Sequence, residues 1–206
     1  MNLSVRGDFD PVFDAQKIFR LILDCMARPG KINYLLGIHV FAEKEDNSFY
    51  LIARTLLDNE IYFVCLDDET DSLTREISLS TGAIQAVVEQ ADFIFCDGRK
   101  EQADLYLAKP GTPDSPDQGA TVIMYVDGLL IEKPDVGEGY ATIGLSGPGI
   151  DGKKEIWIAG IHHDNLHWLA LQNRDYPLGT DTILVDLEGG IMCIPRSSSV
   201  TWEVNR

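Results

Sequence analysis

Residues 48–96 read SFYLIARTLLDNEIYFVCLDDETDSLTREISLSTGAIQAVVEQADFIFC, and the alternation inside them decides the fold class. Ile52 and Leu56 share one face of a helix expected from Ser48 to Leu57. Asp58-Asn59-Glu60 then turns the chain into Ile61–Leu66, a short unbroken run of β-prone residues of strand length. The pattern repeats. Asp71 stands where it can cap a helix from Ser72 to Ser80, Gly82 lies just past its end, and Asp92–Cys96 reads as a second buried strand. Helix, strand, helix, strand is α/β grammar.

Upstream, Ile18, Phe19, Ile22, Leu23 and Met26 recur at helical spacing between Asp14 and Arg28, which predicts one buried stripe. Asp14 is the expected cap; Pro29 disfavours helical geometry at Arg28, and Gly30 turns the chain away. Downstream, a short helix is expected within Lys100–Ala108. Three prolines and a glycine between Lys109 and Pro116 then predict an exposed loop at about 109–118. After the loop the grammar shifts to strands at Ala120–Val126, Tyr140–Leu145, Glu155–Ala159, Thr182–Leu187 and Ile191–Ile194, with Val200–Val204 as an edge strand. Glu188-Gly189-Gly190 joins two of them as a tight hairpin. One helix, Asp164–Asn173, interrupts this half. The expectation is an α/β fold, a single domain over 1–206 with a mixed central sheet flanked by helices.

The chain has 206 residues, 45% of them apolar, enough to bury a substantial core as one unit. Seventeen basic against thirty-three acidic residues leave a formal charge of -16, which repels phosphate backbones and anionic headgroups. Nucleic-acid and membrane partners are therefore not expected. Cys25, Cys65, Cys96 and Cys193 each sit inside an apolar segment with no C-x-x-C pairing, so they read as free buried thiols of a reducing compartment. No stretch approaches the roughly 20 apolar residues of a membrane span, and a soluble, cytoplasmic protein is expected.

Several constellations have chemical potential. His163 and His167 are spaced to face the same way on a helix, where two imidazoles can share a metal; His162 and Asp164 adjoin them. The alternative is a surface or capping role, and the glutamate of a metalloprotease helix is missing. Gly147 and Gly149, in Ser146-Gly147-Pro148-Gly149, can cradle an anion or form a structural turn, although Pro148 removes one donor. Asp181 and Arg196 lie at the outer ends of hairpin arms of similar length. They can form a structural ion pair, or Arg196 can present its fork to a carboxylate or phosphate. Arg20, on a largely apolar helix, has the same two readings. The run Asp67-Asp68-Glu69-Thr70-Asp71 reads as a solvated loop leading into a helix, with a cation site as the alternative. There is no G-x-S-x-G elbow, no zinc-type cysteine spacing and no G-x-G-x-x-G turn after a strand.

Asp14-Ala15-Gln16, Phe19-Arg20, Met26 and Pro29-Gly30 at one end, and Pro177-Leu178-Gly179-x-Asp181 with Ile194-Pro195-Arg196 at the other, resemble the signature ends of the PhnH family, a component of the bacterial carbon-phosphorus lyase system for phosphonate metabolism. The resemblance runs through Gly119-Ala120-Thr121 and Leu145-Ser146-Gly147-Pro148-Gly149-Ile150 in the same order. Tyr176, Thr180 and Ser197-Ser198 replace phenylalanine, isoleucine and two threonines of that pattern. The resemblance implies a fold similar to the large domain of pyridoxal-phosphate-dependent transferases, without that cofactor or any other. It implies an accessory component, inactive alone and homodimeric in isolation, that assembles with carbon-phosphorus lyase subunits G, I and J. With G, I and the ATP-binding-cassette-like L it supports formation of a ribose 1-phosphonate 5-triphosphate from ATP and an alkylphosphonate; bond cleavage belongs to J, which carries the radical chemistry. A stand-alone metal-assisted enzyme and a nucleotide- or phosphonate-binding module are the other classes kept open.

Overall fold

The structure, a computed structural model, describes residues 9–35, 44–134 and 139–204. In chain order its elements are α1 (Phe13–Ala27), β1 (Ile32–Tyr34), α2 (Lys44–Leu56), β2 (Tyr62–Cys65), α3 (Ser72–Thr81), β3 (Ile84–Gln85), β4 (Phe93–Asp97), β5 (Thr121–Tyr125), β6 (Gly128–Leu130), β7 (Tyr140–Ser146), β8 (Lys154–Ala159), α4 (His163–Gln172), β9 (Asp181–Val185), β10 (Gly190–Ile194) and β11 (Ser199–Val204). Ala103–Leu107 is a 3-10 turn rather than the short α-helix expected there, and a second 3-10 turn, Pro116–Gln118, lies in the Pro-rich loop.

The α/β reading and the mixed sheet are both present. Seven strands form one sheet in the order β1-β10-β9-β5-β4-β2-β3. Its core, β9-β5-β4-β2-β3, is parallel, while β1 and β10 add on antiparallel. A second sheet, β11-β7-β8-β6, is wholly antiparallel, so the later strands do not all join the central sheet.

Period-two alternation explains the layering. On β5, Val122 and Met124 face one core with Ala141, Ile143, Ile156 and Ile158 of the second sheet, and with Trp168 of α4. Ile123 and Tyr125 face the other, with Ile18, Ile22, Leu51, Ile52 and Ile77 of α1, α2 and α3. Helices thus cover one face, and the small sheet with α4 covers the other. The flanking helices expected from the sequence are therefore joined on the second face by a sheet with a wetter outer side: β7 buries Ala141, Ile143 and Leu145, and β8 buries Ile156 and Ile158, at alternate positions.

Two cap assignments change. Asp10, not Asp14, receives the N–H groups of Val12 and Phe13 at 2.8 and 2.9 Å, and Asp14 reaches back to accept the Asp10 N–H at 3.0 Å. At α3, Asp68 accepts from Ser72 and Thr74 at 3.1 and 2.7 Å, while Asp71 adopts a left-handed φ of 53° and caps nothing with its side chain. Gly82 ends α3 at φ 81°, donating its N–H to the Ser78 carbonyl at 2.9 Å.

The buried stripe of α1 is narrower than its periodicity suggests. Ile18, Ile22 and Cys25 are buried, but Phe19 is 49% and Leu23 55% exposed. β1, β3 and β6, two or three residues each, are too short to show an alternation in the sequence.

Candidate functional site

The parallel sheet has a topological switch point. From β2 the chain passes through α3 to β3 on one side, whereas from β4 it crosses to β5 on the other. The loops leaving the carboxyl ends of β2 and β4 therefore diverge, and such a divergence opens a crevice. A cavity of about 400 Å³ lies there, with Asp67, Thr70, Asp97, Arg99, Lys100 and Tyr125 on its walls and Phe49, Leu73 and Phe95 supplying apolar surface.

Its polar groups are knit together. The Asp67 carboxylate accepts the Asp97 N–H and the Gln102 side-chain amide, both at 2.7 Å, and lies 3.6 Å from the Lys100 ammonium. Asp97, buried, accepts two bonds from the Arg99 guanidinium at 2.7 and 2.9 Å and one from the Arg99 N–H at 3.0 Å. Burial alone pushes the Asp97 carboxyl up; the Arg99 hydrogen bonds and the charges of Arg99 and Lys100 outweigh it, leaving the group below its ordinary value. Arg99 lies 5.0 Å over the Tyr125 ring and 3.6 Å from Asp127. Desolvation, first, and then the Asp67 and Asp97 charges raise the Cys96 thiol well above its usual range.

The second loop is braced from behind by Asn165, buried on α4. Its side-chain amide donates to the Gly98 and Lys100 carbonyls at 2.8 and 2.7 Å, and its oxygen accepts the Gln102 N–H at 3.1 Å. The cleft is thus a hydrogen-bonded pocket in which Arg99 and Lys100 offset part of the charge of Asp67, Asp68, Glu69 and Asp97. It suits holding a small polar ligand between Lys100, the Thr70 and Ser72 hydroxyls and an aromatic floor. The acidic run read as a solvated loop is in fact partly built in, through Asp67 and Asp68.

The residues singled out from the sequence fall elsewhere. Asp181 and Arg196 meet: Nη2 and Nε of Arg196 stand 2.6 and 3.2 Å from Oδ2 of Asp181, and the Arg196 N–H donates to Oδ1 at 2.8 Å. The remaining guanidinium donors reach the Pro116 carbonyl and, at 3.3 Å, the Gly119 carbonyl, fastening the Pro-rich loop to the hairpin. Arg20 is exposed and makes no ion pair among the described residues.

Gly147 and Gly149 both take positive φ, 138° and 81°. A side chain on Gly147 would meet the Ser197 carbonyl, and one on Gly149 the Ala27 carbonyl, so close backbone packing accounts for glycine at both positions.

His167 is exposed on α4, four residues beyond His163, and does not belong to the group of three that converges. Among the described residues, that group is His162, His163 and Asp164, whose ligand-type atoms lie within 4.8 Å of one another, with the two imidazole rings 4.5 Å apart. These residues could hold a transition-metal ion. The start of α4 opposes it, because the helix presents its positive end there, and His162 Nδ1 already accepts the Asp164 N–H at 3.4 Å.

The sequence pattern of the family described as Bacterial phosphonate metabolism protein (PhnH) matches residues 6–201. The alpha-D-ribose 1-methylphosphonate 5-triphosphate synthase subunit PhnH of Rhizobium meliloti (strain 1021) is 27% identical over 196 residues, covering 94% of each chain. HtxG of Stutzerimonas stutzeri, named provisionally as a C-P lyase subunit protein, is 29% identical over 187 residues, 90% of this chain and 85% of its own. A match that takes in both the switch-point strands and the Asp181–Arg196 hairpin, and nearly the full length of two relatives, places this chain in the PhnH family.

Proposed function

We propose that this chain is a single-domain accessory subunit of a bacterial carbon-phosphorus lyase system, supporting formation of a ribose 1-phosphonate 5-triphosphate from ATP and an alkylphosphonate. The observation that carries the reading is the near full-length match to two proteins that are each named as subunits of such a system. Its partners on this reading are subunits G, I and J, its place is the cytoplasm, and in isolation it pairs with a second copy. The mixed sheet is read as akin to the large domain of pyridoxal-phosphate-dependent transferases.

The switch-point cleft is consistent with a supporting role. Two of its carboxylates, Asp67 and Asp97, are engaged by Gln102, Lys100 and Arg99, which suits them to holding the cleft's shape. Turnover of ATP and methylphosphonate by the assembled subunits, with this chain present or withheld, tests the reading. Activity is expected only when the chain is present, and none from the chain alone. Conversion by the purified chain would favour a stand-alone enzyme.

A further inference from the structure

Helix α1 is amphipathic twice over. Ile18, Ile22 and Cys25 pack on the sheet. On the outward side Val12, Phe13, Phe19 and Leu23 are 68, 66, 49 and 55% exposed, and at helical spacing Val12, Phe19 and Leu23 lie along one stripe. Isolated exposed apolar residues need no account, but four along one helix, two of them phenylalanines, mark a contact surface.

The charges on this helix are arranged in the same sense. Asp14 and Asp24 are turned inward onto partners of their own: Asp14 onto the Asp10 N–H and Lys17, Asp24 onto Lys31, Arg28 and the Asn33 side chain. Arg20, beside Phe19, has no carboxylate among the described residues, and the Lys17 side chain is 74% exposed. A chain of net charge -16 therefore offers here an apolar stripe beside one cation, Arg20, that no carboxylate of the described residues neutralises.

That charge pattern selects the occupant. If a second copy docked with its α1 antiparallel to and centred on this one, the two-fold axis would fall at residue 20, the midpoint of Phe13–Ala27, bringing the two Arg20 guanidinium groups together in a desolvated contact. An anionic membrane would meet the long-range repulsion of the whole chain. A different protein, apolar at the centre and acidic at the rim, satisfies both the stripe and Arg20. We propose that the outward face of α1 is the docking surface for another subunit of the phosphonate-processing assembly, with Phe19 and Leu23 as apolar anchors and Arg20 pairing with a partner carboxylate. The inference rests on the subunit reading above and adds the surface. A self-paired dimer through any other face leaves it available.

The test is co-purification of tagged full-length chain with co-expressed subunits G, I and J. It compares wild type, the double variant Phe19→Glu/Leu23→Glu, Arg20→Glu, and a control double variant Leu79→Glu/Val87→Glu at exposed apolar positions elsewhere. The α1 double variant is expected to lose roughly tenfold or more of the recovered partners, as loss of two interface anchors does. Arg20→Glu is expected to weaken recovery in a salt-dependent way, and the control to match wild type. Unchanged circular dichroism and melting temperature show that the exposed substitutions leave the fold intact. If wild type recovers no partner, the subunit reading fails. If wild type and the α1 variant recover partners equally, the surface assignment fails while the subunit reading stands. Size-exclusion that shows the α1 variant dissociating a wild-type dimer overturns the assignment in favour of a second copy. Sedimentation of wild type, but not the variant, with phosphatidylserine vesicles overturns it in favour of a membrane.

Discussion

The Arg196 guanidinium closes on the Asp181 carboxylate through two side-chain contacts, at 2.6 and 3.2 Å, while its own backbone N–H takes the second carboxylate oxygen. Both side chains are mostly buried, at 14 and 25% exposure, and the same guanidinium secures the Pro116 and Gly119 carbonyls. Arg196→Ala removes the side-chain donors from the second Asp181 oxygen and from the Pro116 and Gly119 carbonyls while leaving the backbone N–H on the first, and is expected to cost about 2–4 kcal/mol in urea unfolding. Arg196→Lys restores the charge but not the fork and recovers little of it. The double-mutant cycle with Asp181→Ala is expected to show strong coupling; additive losses would show that the pair contributes nothing beyond its separate members.

Asn165 is the brace between α4 and the cleft, with three side-chain hydrogen bonds to residues 98, 100 and 102. Asn165→Ala strands buried polar groups and is expected to cost about 3 kcal/mol by denaturant titration. Amide exchange between Gly98 and Gln102 should accelerate in the variant, whereas the distant β7–β8 pairing should keep its protection. Exchange that rises equally in both places would mean that Asn165 serves global stability only.

How much of this is legible in the sequence differs residue by residue. The proximity of Asp181 and Arg196 can be worked out because a hairpin with a short glycine turn fixes both arm lengths. The cleft cannot be found that way. Asp67 sits in an acidic run that reads as solvated, and what removes it from solvent is the Asp97 N–H and Gln102, some 30 residues away and joined to it only by parallel strand pairing. Asn165 has no local signature, since an asparagine in a helix is merely a weak helix former. Phe19 and Leu23 mislead for a different reason: helical periodicity identifies apolar positions but does not say whether they meet this chain or another.

Asp97 gives the cleft a pH signature. Its carboxyl is lowered in the folded state, so the stabilisation is complete at pH above the ordinary aspartate range and is lost as pH falls through that range and the lowered folded value beneath it. Urea midpoints of wild type and Arg99→Gln are therefore expected to differ at pH 7 and converge as the solution is acidified. A gap that persists at low pH would show that Arg99 contributes through packing on Tyr125 rather than through Asp97.

Thiol accessibility reports on the same cleft. Cys25, Cys96 and Cys193 are buried, while Cys65 is half-buried and lines the cavity. An aromatic disulfide reagent should titrate one thiol quickly in the native protein and all four in denaturant, and Cys65→Ser should abolish the fast phase. Fast reaction that survives in Cys65→Ser would locate the accessible thiol elsewhere.

The two glycine turns after β7 separate structure from ligand binding. Gly149 has φ 81° and an added side chain would press on the Ala27 carbonyl at the end of α1; Gly152 has φ 70° with nothing within 4 Å of that position. Gly152→Ala therefore meets only the left-handed backbone cost, about 1 kcal/mol. Gly149→Ala meets that cost and a backbone collision, so a loss of about 2–4 kcal/mol is expected in the unfolding free energy. If instead Gly149→Ala unfolds like Gly152→Ala but loses affinity for inorganic phosphate in calorimetry, the turn is an anion cradle. The tight approach to α1 makes the stability loss the expected result, because Gly149 is the point at which the second sheet is pressed against the helix that carries the proposed docking face.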